Sequence, residues 1–209
     1  MLLTGFEPFG GDDRNPSGDA VEQVAAAWTG QAELATAILP VAYDRAAARL
    51  RTLIAERDPD VVIAAGLAGG RTAVTPERVA INLRDARIPD NDGAQPVDAP
   101  SVAGGPAAYF ATVPVKAIAR EIDAAGIPAA VSHTAGTFVC NHVFYVAAHE
   151  AALRPGLRAG FVHVPWSDET APDGAPSLPA ADIARALDLA IRVTLEVSTD
   201  TPTPAGTLH

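Results

Sequence analysis

A cysteine that opens a helix offers a reactive thiol, and Cys140 is the only cysteine in the chain. It lies in Gly136-Thr137-Phe138-Val139-Cys140-Asn141-His142, where a glycine-bearing loop runs into a helical pattern. The positive end of a helix dipole lowers a thiol pKa, so this position predicts a thiolate nucleophile. The competing reading is a buried structural thiol, a common state for cysteine. A nucleophilic cysteine needs a base within hydrogen-bond reach. Of the five histidines, His163 in Phe161-Val162-His163-Val164-Pro165-Trp166 sits near the end of a strand pattern, where a side chain can meet a neighbouring helix start. A satisfied strand histidine is its alternative. His142 is two residues from Cys140 on the same helix and points elsewhere. His149 lies further along that helix, His133 ends another strand, and His209 is in the tail. The base needs an orienting acid. Glu77, in Thr75-Pro76-Glu77-Arg78-Val79-Ala80, stands in a loop entering a strand. Spacing alone does not choose it over other carboxylates, and an exposed pair with Arg78 is its alternative.

Two glycine loops could shape a pocket beside these groups. Gly5-Phe6-Glu7-Pro8-Phe9-Gly10-Gly11 places two phenylalanines beside a strand end, as an apolar ligand wall would require. Gly66-Leu67-Ala68-Gly69-Gly70 lacks the Lys and Ser/Thr of a phosphate loop and the spacing of a dinucleotide fingerprint, with only Arg71 nearby.

The elements that must position these residues alternate. Strands are expected at Met1–Thr4, Leu34–Leu39, Val61–Ala65, Arg78–Leu83 (weaker), Ala129–Ser132 and Gly160–Val164. Gly5–Ser17 reads as loop, and Ser17 as the cap of a helix running to about Trp28. Further helices are expected at Tyr43–Arg57, Val113–Ala125, Val139–Ala152 and Pro179–Val197. Asp90–Gly93 reads as a turn, and the Pro/Gly-rich stretch from there to Pro106 as loop with room for a short hairpin. The run Val61-Val62-Ile63-Ala64-Ala65 is apolar throughout, as in a strand covered on both faces. The pattern predicts an α/β fold, a mostly parallel sheet with helices on both sides. Sites in such sheets gather at the carboxyl ends of strands. That places Gly5–Ser17, Gly66–Glu77, Thr134–Cys140 and Val164–Ser167 at the candidate site.

Composition bounds the rest. The chain has 209 residues, 48% hydrophobic and 5% aromatic, which suits a single domain with a proper core. Its formal charge of -10, with no Lys/Arg cluster, argues against a nucleic-acid partner. One cysteine excludes an internal disulfide and a Cys-based zinc cluster. A lone thiol, no signal peptide pattern and no transmembrane run point to the cytoplasm. Residues 198–209, rich in Thr and Pro, read as a tail that is frayed or packed at an oligomer contact.

Taken together, these segments resemble the intracellular cysteine-type pyroglutamyl peptidases. The resemblance is carried by Leu2 through Gly11, Asn15-Pro16-Ser17, Thr75 through Leu83, Ala86 through Asn91, Gly104 through Tyr109, Ser132 through Tyr145, Gly160 through Pro165, and Leu208-His209. It implies a three-layer α/β/α sandwich with a mostly parallel twisted sheet, and a homo-oligomer, dimer or tetramer. It implies no metal and no cofactor. By resemblance, Cys140 is the nucleophile, His163 the general base and Glu77 the orienting carboxylate, hydrolysing N-terminal pyroglutamyl peptides through a thioester. Phe6 and Phe9 would line the ring pocket, with Asn15 as a polar neighbour and Arg87 near the thiol to support thiolate or oxyanion. The family pattern has Gly-Gln-Ala-Gly-Gly where this chain has Leu67 in second place, so Leu67 enters the substrate-binding set as a departure. His133 stands where the pattern has Tyr or a similar residue, and no role is assigned to it.

Overall fold

The computed structural model describes residues 1–206; the expectations for Leu208 and His209 lie outside the described residues. In chain order the elements are β1 (Leu2–Phe6), α1 (Pro16–Ala27), β2 (Ala35–Leu39), α2 (Tyr43–Arg57), β3 (Val61–Leu67), β4 (Thr75–Pro76), β5 (Val79–Ile81), β6 (Ala108–Phe110), α3 (Val115–Ala124), α4 (Val139–Leu153), β7 (Arg158–Val164), β8 (Trp166–Ser167), β9 (Ser177–Leu178) and α5 (Ala180–Glu196).

The main sheet has the order β2-β1-β3-β7-β4. Its first four strands are parallel, and β4 pairs antiparallel with β7. β1, β3 and β7 are buried along nearly their whole length, which is why they read as unbroken apolar runs. Helices α2 and α4 pack together against one face, around Leu50, Ile54, Phe144 and Phe161. Helices α1, α3 and α5 cover the other, around Leu3, Ile63, Ile118 and Leu187. This is the three-layer α/β/α arrangement. Alanines such as Ala46, Ala147, Ala186 and Ala190 lie at the contacts and bring the helices close.

The structure redraws several local expectations. β1 runs on to Phe6, so the loop after it is shorter than expected. The cap of α1 is Asn15, whose side chain accepts from the Ser17 backbone N–H, with Pro16 filling the first helical position. The strand expected at Ala129–Ser132 is an extended segment joined to its neighbour by isolated parallel bridges, Val74 to Ala129 and Glu77 to Ser132. Its partner β4 is only two residues long, too short to organise a full strand beside it. The hairpin expected before Pro106 is instead a wider antiparallel pair, β5 with β6. The described part of the tail packs on the same chain. Asp200 accepts the Lys116 and Ala117 backbone N–H groups at the start of α3, and the His133 ring bonds the Ala205 carbonyl.

Asn141 fastens the helix that carries the thiol to the β5 segment. Fully buried, it donates to the Ile81 and Leu83 carbonyls at 2.9 and 3.0 Å and accepts from the Ile81 N–H at 3.0 Å. Asn141→Ala strands those backbone groups without water. We expect a loss of about 3 kcal/mol of unfolding free energy in urea titration, and a change under about 1 kcal/mol would show the staple to be dispensable.

Candidate active site

The carboxyl ends of β1, β3 and β7 deliver Phe6, Leu67 and His163 to one edge of the sheet. Cys140, the second residue of α4, comes down onto that edge. Gly66 makes the approach possible. A β-carbon there would lie 2.7 Å from the Cys140 sulfur and 2.8 Å from the Phe161 ring. In the strand register Gly66 is the direct neighbour of His163. His163 shares the sheet face of Phe161, their ring centroids 4.8 Å apart. Sulfur and imidazole therefore stand on one face of the sheet, over neighbouring strands.

Behind them stands the carboxylate. Glu77 is fully buried, and its Oε1 accepts from His163 Nδ1 at 2.7 Å. That bond leaves Nε2 as the free face of the ring. Glu77 does not pair with Arg78. Its ionic partner is Arg71, whose Nη1 donates to the same Oε1 at 2.7 Å. The cation permits a carboxylate to be buried at all. Arg71 also donates to Thr75 Oγ1 and to the Thr134 carbonyl. With its guanidinium so engaged, it is not free to cradle a phosphate.

Electrostatics correct one expectation. Burial and the Glu77 carboxylate push the Cys140 thiol up to about 12, against the Arg71 guanidinium and the residue's own backbone N–H, which pull it down. Desolvation outweighs the helix terminus here. Burial also holds His163 below the ordinary imidazole value of 6.5, against the hydrogen bond and charge of Glu77. Both shifts favour the uncharged forms, thiol and imidazole.

Cys140 borders a cavity of about 390 Å³. Phe6, Phe9, Asn15, Leu67 and Arg87 border the same space. The Asn15 oxygen takes the Ser17 N–H and hydroxyl, and one N–H of its amide goes to the Glu7 carbonyl, which leaves the second N–H as its spare donor. Arg87 is exposed where it meets the cavity. Leu67 adds apolar wall. Phe138, Val139, Val41 and Trp166 also line the space, and sequence reasoning gave them no role. Phe138 was legible in principle, two residues before the thiol in a loop. It packs 5.2 Å from Phe9 and 5.5 Å from Tyr43, measured between ring centroids. Trp166 lies over Gly69, where a β-carbon would meet its indole nitrogen at 2.8 Å. His142 does point elsewhere, packed edge-on against Tyr43. No group of side chains fit to hold a metal ion occurs among the described residues, and no described helix is long and apolar enough to cross a membrane.

A thiol that can hand its proton to an imidazole aimed by a buried carboxylate is the equipment of a cysteine-type peptidase, and fold and site together define that class. Comparison narrows it. A family model described as pyroglutamyl peptidase matches residues 1–197. The pyrrolidone-carboxylate peptidase of Clavibacter michiganensis is 52% identical over 209 residues, covering 100% of this chain and 98% of its own length. The crystal structure of pyroglutamyl peptidase I from Bacillus amyloliquefaciens superposes with a TM-score of 0.93 at 47% identity, covering 97% of this chain and 98% of that one. A mutant pyrrolidone carboxyl peptidase from Pyrococcus furiosus gives a TM-score of 0.88 at 39% identity, covering 93% and 97%. The chain belongs to the pyroglutamyl peptidase family.

Proposed function

We propose that this protein removes the N-terminal pyroglutamyl residue from peptides, with Cys140 as nucleophile, His163 as base and Glu77 as the carboxylate that aims it. The observation that carries the reading is the Glu77–His163 pair, 2.7 Å apart, set beside a thiol that borders a largely apolar cavity. A pyroglutamyl ring is a lactam with no charge. Phe6, Phe9, Phe138 and Leu67 suit its carbons. Backbone groups of the glycine loops suit its N–H and C=O, and leaving such groups unpaired is what rejects a proline ring.

In the proposed reaction the Cys140 sulfur attacks the pyroglutamyl carbonyl while its proton passes to His163 Nε2. The oxyanion is met by the Cys140 backbone N–H, unspent at the start of α4, with Arg87 as a second donor. His163 then gives its proton to the departing amine, leaving a thioester. Water, deprotonated by the same nitrogen, attacks the thioester; the carbon–sulfur bond breaks, the Cys140 sulfur takes the proton back from His163, and pyroglutamate leaves. No metal or cofactor enters the scheme. The lone thiol supports a reducing, cytoplasmic setting, and the family resemblance supports a homo-oligomer.

A fluorogenic L-pyroglutamyl amide tests the reading. We expect release at least about 100-fold faster than from the L-prolyl amide, abolished by thiol alkylation. Equal rates on both amides would refute it. The pH profile follows from the shifts. His163 works only when neutral, and its pKa is depressed, so activity falls as pH drops through a midpoint below 6.5. Alkylation by iodoacetamide reports thiolate, so its rate should climb through pH 10 without levelling, because burial and Glu77 push the thiol up to about 12. A plateau reached below pH 8 would show a resting thiolate instead.

A further inference from the structure

Resting on the peptidase reading above, we propose that Arg71 is a positioning residue of the catalytic cluster, binding the Glu77 carboxylate to the loop that leads into Cys140. Three observations meet on this side chain. Its Nη1 shares Glu77 Oε1 with the His163 ring, both at 2.7 Å. Its Nη2 donates to the Thr134 carbonyl at 2.9 Å, where the loop to the nucleophile begins. Its backbone N–H closes a turn onto Ala68, directly after β3. One guanidinium thus joins the glycine loop after β3, the acid after β4 and the loop before α4.

The geometry makes this more than a surface ion pair. Glu77 Oε2 is buried with no partner among the described residues. The carboxylate is therefore located by its backbone and by two donors on one oxygen, His163 and Arg71. Without Arg71 the side-chain oxygen is held by the base alone, and the angle at which it meets the imidazole is fixed by one bond instead of two. The planar fork of arginine suits this task, since two N–H groups reach two different acceptors in set directions. Arg71 touches no reacting atom in the scheme above and acts through Glu77 and His163.

Its charge leaves a second signature. The charged and titratable groups around His163 are Glu77, Arg71 and Cys140. A cation opposes every proton this cluster takes up. Arg71 pulls down both the imidazole and the thiol, so its removal should raise both titrations. A residue that merely supported the fold would move neither.

The experiment compares wild type with Arg71→Gln and Arg71→Lys on the L-pyroglutamyl amide from pH 4 to pH 10, alongside bromobimane titration of Cys140 in each protein. For Arg71→Gln we expect kcat to fall roughly 10- to 100-fold with KM changed less than about threefold, the acid limb to move to higher pH, and bromobimane labelling to need higher pH. For Arg71→Lys, which keeps the charge and loses the fork, the acid limb should return toward the wild-type position while kcat recovers only in part. The inference is overturned by an unmoved acid limb and thiol titration in Arg71→Gln. It is equally overturned by a KM effect with kcat intact, which would make Arg71 a substrate-binding group. Should Arg71→Gln not fold, Arg71→Lys still separates a kcat effect from none. Wild type inactive on the amide would sink the peptidase reading instead, and the bromobimane comparison would still decide whether Arg71 tunes the cluster.

Discussion

Cys140→Ala is expected to lower turnover of an L-pyroglutamyl amide by at least about 10,000-fold, because it removes the atom that forms the acyl bond in the proposed reaction. The loss should come with little change in the fold. Only one atom is deleted, at a half-buried site. The space it leaves adjoins Gly66 and the edge of a cavity that is already open. A stability change within about 1 kcal/mol is expected. Phe6, Phe9, Leu67 and Phe138 still line the cavity proposed for the ring, so the variant should still take up an uncleavable or uncleaved pyroglutamyl peptide by calorimetry. Turnover together with binding separates the two roles of the site. Residual activity above about one per cent would require another nucleophile, since general-base attack by water through His163 alone supplies far less than covalent catalysis. Loss of binding together with turnover would mean that the sulfur shapes the pocket rather than attacks.

The parts of the fold that were legible in the sequence are those that bury both faces. Val61–Ala65 reads as a central strand because helices from both layers cover it. The amphipathic helices α2 and α5 are legible for the opposite reason, each having one buried stripe. What failed to read was short or paired at a distance. β4 is two residues long and contains a proline, so no periodicity can announce it. β5 finds its partner across the Pro/Gly-rich chain of residues 82–107, and single-strand patterns do not state their partner. The cap of α1 was misplaced by two residues because Asn15-Pro16-Ser17 offers two good capping side chains. The Pro16 at the first helical position is what selects Asn15.

At the site, the local context of each residue was legible and the electrostatics between residues were not. The helix start at Cys140 and the strand end at His163 could be placed from their flanking sequences. Arg71 could not. Six residues before Glu77, in a glycine loop, it reads as a solvated charge until Glu77 is known to be buried, and burial of a carboxylate in a loop has no sequence signature. The upward push on the thiol was not legible for the same reason. A helix N-terminus is visible in a sequence, whereas the desolvation and the facing carboxylate that outweigh it are properties of the assembled sheet edge.

Glu77→Gln should cut kcat by about 100- to 10,000-fold and should move the acid limb of activity in the direction opposite to Arg71→Gln. The carboxylate oxygen now accepts from two donors, His163 Nδ1 and Arg71 Nη1. A glutamine offers one acceptor and one donor in the same volume. If its oxygen keeps the place of Oε1, its NH2 group takes the place of Oε2, a buried position that has no hydrogen-bond partner in the native protein. If the amide is turned over, its NH2 faces His163 Nδ1 and favours the tautomer that carries hydrogen on Nε2, which cannot take a proton from sulfur. Either arrangement also leaves the Arg71 cation without its buried counter-charge, a loss of about 3 kcal/mol in stability. The charge argument fixes the sign of the pH effect. Glu77 raises the His163 titration both by hydrogen bond and by charge, so its neutralisation lowers that titration, and the residual activity should persist to lower pH than in wild type. Glu77 also raises the thiol titration, so bromobimane should label Cys140 at lower pH in Glu77→Gln while turnover collapses. A more easily ionised nucleophile in a slower enzyme would mean that aiming the imidazole matters more than ionising the sulfur. A variant with near-normal kcat would hand the orienting role to another acid, and one whose acid limb moved upward would contradict the assignment of Glu77 as the charge that His163 feels most.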